Sequence, residues 1–115
     1  HLEAGIAYLH TTPTDENKWE YILRLYNQLI IIEYSSVIAL NRTFAYGKVY
    51  GKEKAIVEAE KLGLEDNHYY HELLGYLYTD IDNQKAIAHY QKAVTLSKSP
   101  NERATLQKQI EQLVK

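Results

Sequence analysis

The residues best able to do chemistry cluster in one stretch. His68 and His71 stand one helical turn apart with Glu72 beside them, and His89 lies in the next segment. Imidazole and carboxylate groups spaced this way can share a helix face and hold a divalent metal, but such a site needs a further converging ligand. Nothing in the spacing turns His89 towards that face, so these residues read as a partly exposed helix start. The acidic pairs Glu58/Glu60 and Asp80/Asp82 fall on a solvated surface and in a turn. General acid–base catalysis needs its groups within reach of one substrate atom, and nothing gathers these pairs around a pocket. The chain has no cysteine, which excludes thiolate–metal, disulfide and cysteine-nucleophile chemistry. There is no glycine-rich phosphate loop and no Ser-His-Asp spacing. The expectation is a non-enzyme with no cofactor and no metal.

The remaining candidates are contacts. Asn41 sits mid-helix, where its propensity is poor. It occupies a place that calls for a small residue facing a partner helix, so it should be buried with its amide bonded to backbone; ligand contact is the competing reading. Arg42, one step round, points towards a groove and is the better candidate for a partner, against a structural ion pair. Tyrosine accounts for 11 of 115 residues, and tyrosines favour interfaces because they bury area while keeping a polar tip. Tyr69 and Tyr76 fall on the groove side with Glu72. Tyr78 and Tyr90 read instead as core replacements for leucine.

The elements that position these residues are helical. Apolar residues recur at helical spacing almost throughout and β-alternation is hard to find. A first helix spans about residues 1–11. It ends near Thr11-Thr12-Pro13, because proline disfavours helix in the residue before it. The second starts from Thr14 or Asp15 and runs to about Ile32 on Trp19, Ile22, Leu23, Tyr26, Leu29 and Ile30. Ser35 or Ser36 opens a third, bearing Val37, Leu40, Phe44 and Ala45, with a loose end between Gly47 and Gly51. A fourth covers about 52–62 and stops at Gly63, a left-handed stop. Asp66-Asn67 begins the fifth, and Asp82 or Asn83 caps the sixth. Ser99-Pro100-Asn101-Glu102 offers a serine cap, proline at the first helical position and a glutamate placed to close a capping box on the seventh.

These helices repeat. Tyr8, Phe44 and Tyr78 take equivalent places in the first, third and fifth helices, 36 and then 34 residues apart. The second helix of each pair repeats a triplet with one internal spacing: Trp19/Leu23/Tyr26, Ala55/Ala59/Leu62 and Ala86/Tyr90/Ala93. A period of about 34 residues is that of the tetratricopeptide repeat. The expected fold is all-α, a TPR-like right-handed stack of three helical hairpins in one domain over residues 1–115. A C-terminal helix would cap the open end, as a solenoid requires.

One segment is more specific. Ala39-Leu40-Asn41-Arg42-Thr43-Phe44-Ala45 resembles the ALNRAVA stretch in the C-terminal, TPR-like domain of one group of extracytoplasmic-function (ECF) RNA polymerase sigma factors. Other segments agree in order. They are His1 to His10, then Trp19 with Ile22, Leu25-Tyr26 and Leu29, then Tyr34 to Val37, where the family's prolines are missing. Gly51 with Ala55, Tyr70-His71 with Leu74, and finally Asn101-Glu102-Arg103 with Leu106 complete the series. The resemblance implies a cytoplasmic regulatory domain of a transcription initiation factor, contacting upstream regions of the same sigma factor or RNA polymerase. The family brings no catalytic residues. The alternative is a free-standing TPR adaptor that takes a peptide or protein in its groove.

Charge and length bear on both readings. Lys plus Arg is 13 and Asp plus Glu is 15, a formal net charge of -2. A surface holding phosphate backbone needs a basic face. Lys85 with Lys92, and Arg103 with Lys108, are diluted by acidic neighbours, so this segment is not expected to bind nucleic acid itself. No run approaches the roughly 18 apolar residues of a membrane span, and no signal-peptide pattern is present. With no methionine and an uncapped helical pattern starting at His1, the chain reads as a piece of a longer protein whose DNA- and core-binding regions would precede it.

Overall fold

A computed structural model describes residues 16–114. Among these residues there are six α-helices and no strand: α1 (Glu16–Ile32), α2 (Ser36–Tyr50), α3 (Lys52–Leu62), α4 (His68–Tyr78), α5 (Asn83–Leu96) and α6 (Pro100–Leu113). The helix expected over 1–11, with Tyr8, lies outside the described residues, as do the caps expected at Thr14 and Asp15. The chain divides into two compact units, His1–Leu62 and Gly63–Lys115.

In the first unit α1 packs on α2 and α2 on α3. Ser35 is the cap of α2, its hydroxyl accepting from the Ile38 N–H at 3.1 Å. The helix does not loosen at Gly47. It runs on to Tyr50 and stops at Gly51, whose φ of 102° a residue with a Cβ rarely adopts. Trp19, Leu23 and Tyr26 from α1 meet Phe44 and its neighbours from α2 in the core, with the Trp19 and Phe44 rings edge to face at 5.4 Å. From α3, Ala55, Ile56 and Ala59 are buried and Leu62 is half-buried. Asn41 is buried at 2% exposure, as its place in the helix implies, but its Oδ1 accepts no hydrogen bond.

In the second unit α4 packs on α5 and α5 on α6. Local chemistry starts each helix. Asn67 Oδ1 accepts from the Tyr69 and Tyr70 N–H groups, Asp82 Oδ1 from Lys85, and Ser99 Oγ from Glu102 behind Pro100. The capping box at α6 does not close. The Ser99 N–H donates to Ser97 Oγ, and Ser97 in turn donates to the Glu102 carboxylate at 3.0 Å, so that glutamate is drawn away from the cap. Leu106 of α6 seats on Tyr90 and Ala93 of α5, with Val94, Ile110 and Leu113 around it.

The closest approach is between α4 and α5. A Cβ built on Gly75 would lie 2.8 Å from two carbons of the Tyr90 ring. Tyr90 is buried, and the atoms met are near the root of its ring rather than at a mobile tip. Gly75→Ala gains about 1 kcal/mol of helix propensity but overpacks a filled site, which costs about 1–3 kcal/mol. The expected net result is a destabilised variant. Chemical denaturation of Gly75→Ala beside the parent chain, reading the midpoint, checks this; an unchanged or higher midpoint would show that Tyr90 can give way.

Candidate functional site

Tyr69, Glu72 and Tyr76 lie at i, i+3 and i+7 of α4, a spacing that puts all three on one face. None is fully buried. The opposite faces carry Tyr70, His71, Leu73, Leu74, Leu77 and Tyr78, which are buried. This division is what frees the first three from core packing. Across from them the N-terminal turn of α6 brings Glu102. Its carboxylate accepts from Ser97 and from the Tyr69 hydroxyl and stands 3.9 Å from His68 Nδ1.

The site is an unequal carboxyl pair framed by tyrosines. Burial pushes the Glu72 carboxyl up from 4.5 to about 7, and the Glu102 charge pushes it the same way. The Tyr69 hydroxyl is raised, first by burial and then by the Glu102 and Glu72 charges. Tyr90, deeper in the unit, is pushed up to about 12 by burial, with the Glu72 charge adding to it and a hydrogen bond with Thr79 opposing it. Nothing cationic lowers Glu72. Near neutrality it can therefore keep a proton, or lose it to solvent when a cationic group arrives.

Three of the four residues expected to contact a partner are thus brought together. Arg42, the fourth, belongs to the first unit. There it is half-buried, its Nε donating to Asn27 Oδ1 at 2.6 Å and its guanidinium lying 5.8 Å from the Tyr46 ring centre. It joins α1 to α2 through a neutral amide and stays partly exposed.

His71 also departs from expectation. It is 3% exposed, not a partly exposed helix start, and His89 does face it, with Nδ1 to Nδ1 at 3.0 Å. Among the described residues no three His, Cys, Asp or Glu side chains are grouped to hold a metal. The carboxylates singled out from sequence, Glu58/Glu60 and Asp80/Asp82, are not the paired ones. Glu58 binds Lys61, and Asp82 caps α5. Glu102 was legible only as a cap residue, and nothing local to it announces Glu72.

The chain is 32% identical over 117 aligned residues to an uncharacterized protein of Rhizobium meliloti (strain 1021), an alignment covering 97% of this chain and 28% of that protein. The chain therefore spans less than a third of its relative's length. No family model and no solved structure matches it. Among the described residues no helix is long and apolar enough to cross a membrane.

The carboxyl pair sets a pH dependence with a definite sign. Between the ordinary 4.5 and the folded value of about 7, folded Glu72 holds a proton that the unfolded chain has released. Stability from this group is complete below the lower value and is lost as pH rises through the upper one. Glu72→Gln is neutral throughout. It should leave melting at pH 5 nearly unchanged and raise stability at pH 8 by about 1–2 kcal/mol, allowing for the group's partial exposure. Thermal melts at the two pH values check this; equal effects at both would contradict it.

Proposed function

We propose that this chain is a TPR-like interaction domain of an ECF-type RNA polymerase sigma factor, regulating promoter-dependent initiation by docking on other parts of that factor or on polymerase. The observation that carries the reading is the order of the resembling segments, which runs from His1 to Leu106 and includes ALNRTFA at 39–45. The helical hairpins agree with it. The triplets aligned by the repeat, Ala55/Ala59/Leu62 and Ala86/Tyr90/Ala93, turn inward in their respective units, with Leu62 the most exposed of the six. A relative that extends well beyond the matched segment agrees as well.

The α4 face is the contact in this reading. Tyr69 and Tyr76 supply aromatic area of the kind enriched at interface hot spots, and Glu72 between them is a carboxyl without a cation. Docking a partner's lysine or arginine beside it would ionise Glu72 and offset part of its desolvation. A domain of this kind acts by shifting the population of the active factor, so its effect should appear in transcription and not in a reaction of its own. The free-standing adaptor remains the alternative, and a helix-turn-helix region encoded before His1 distinguishes them in favour of the sigma factor.

The test is in vitro transcription with purified core polymerase and the full-length factor. Truncation before His1 is expected to change transcript yield several-fold. The double variant Glu72→Gln with Tyr76→Ala should reproduce most of that change while its circular dichroism stays helical. Arg42 is left intact because removing it would also break the Asn27 hydrogen bond. Unchanged yield and stability on truncation would reject the regulatory role. A normal double variant beside a defective truncation would reject the α4 face alone.

A further inference from the structure

Helix α1 carries two apolar faces. Trp19, Ile22, Leu23 and Tyr26 form the one buried in the first unit. Tyr21, Leu25 and Ile32 form the other. With Gln28 they follow one another at steps of four, three and four residues, the spacing that keeps side chains on one helix face. At 3.6 residues per turn this face lies about 140° round the helix from the buried one. Tyr21 is 57% exposed, Leu25 45% and Ile32 81%. Ile31 and Tyr34, both exposed, extend the apolar area at the end of the helix. Five of the nine large hydrophobic residues exposed among the described residues thus fall between Tyr21 and Tyr34. Scattered singly, such residues need no explanation; gathered in one place they mark a contact surface.

We infer that this face joins two copies of the chain, α1 antiparallel to α1, across a two-fold axis that passes between Leu25 and Gln28. The spacing of the stripe reads the same from either end. Reversed, it sets Tyr21 of one copy on the partner's Ile32, and Leu25 on the partner's Gln28. A two-fold contact requires such self-complementarity. Charge agrees with the same register. Lys18 precedes the stripe and Glu33 follows it on the same flank, the helical path reaching Glu33 through its N–H, which donates to the Leu29 carbonyl at 2.8 Å. Like flanks of two antiparallel helices face each other, so Lys18 of each copy comes within about 3 Å, measured along the axis, of the partner's Glu33. Charges at such flanking positions set partner choice and orientation in paired helices. In the single chain Lys18 Nζ lies 5.6 Å from the Trp19 ring centre, and its four-carbon stem lets it turn to a carboxylate.

The area fits a dimer of modest strength. The exposed parts of the five apolar residues amount to roughly 600 Å² per copy, so the two-fold contact covers about 1,200 Å² in all, the lower end of the range for specific interfaces. This contact belongs to the first unit and does not depend on the α4 face of the second.

Sedimentation equilibrium of the 115-residue chain from about 1 to about 300 μM tests the inference. The apparent mass should rise from one chain to two, with a dissociation constant on the order of 10 μM for a contact of this size. Leu25→Glu sets two carboxylates beside the axis and should weaken association at least about tenfold while circular dichroism stays helical. Ile32→Lys, at a residue 81% exposed, should do the same and keeps the test open if the first variant unfolds. Lys18→Glu and Glu33→Lys should each weaken association a few-fold, and the two together should restore it, because each reversed charge then meets its reversed counterpart. A chain that stays single at the highest concentration would overturn the inference and leave the face to a different protein. So would a dimer that neither Leu25→Glu nor Ile32→Lys weakens, or charge reversals whose effects add instead of cancelling.

Discussion

The second unit depends on the absence of one atom. With no Cβ at Gly75, the ring of Tyr90 lies against the α4 backbone, and the two helices close to a distance that no other residue at 75 would permit. Much follows from that approach. Ala86 and Ala93 are fully buried beside it, which only small side chains allow. Tyr90 is held where Leu106 of α6 can cover it. His89, next to Tyr90 on α5, is carried into reach of His71. Tyr69, Glu72 and Tyr76 of α4 are left half-buried beside that core.

Polar groups are buried in this unit only where they can be matched. His71 spends both ring nitrogens, Ser97 accepts from Ser99 and donates to Glu102, and the Ser97 carbonyl receives Arg103. An unmatched group would cost about 1–3 kcal/mol. Two departures from this economy stand out. Asn41 leaves Oδ1 unmatched in the first unit, and nothing in the structure explains it. Glu72 is held at about 7 beside a second carboxyl. It sits on the surface proposed to meet a partner, where an unfavourable electrostatic environment has something to gain from an incoming cation.

Helix starts were legible in the sequence because capping is local. Asn67, Asp82 and Ser99 each act within three residues of themselves. The inward triplets were legible because small and aromatic residues recur at one spacing. What escaped needed packing. The buried face of α4 is wide enough to include His71 next to Tyr70, and periodicity alone gives the centre of a face but not its width. His89 meets His71, and Glu102 meets Glu72, across different helices, so neither pairing has a sequence signature. The hydrogen bond from Arg42 to Asn27 likewise joins two helices and has no signature in either. The α6 capping box stays open for a similar reason: Ser97, two residues outside the motif, competes for its glutamate.

The central claim is that the α4 face meets another part of a transcription initiation complex. It is tested most directly by placing a photocrosslinking amino acid at position 76 in the full-length factor assembled with core polymerase. A second sample carries it at Gln84, an exposed residue of α5. The account predicts a specific crosslink from position 76, to an upstream region of the factor or to a polymerase subunit, that is lost with Glu72→Gln and absent from position 84. Crosslinking from 76 no different from that at 84, in a factor that still directs transcription, would contradict it.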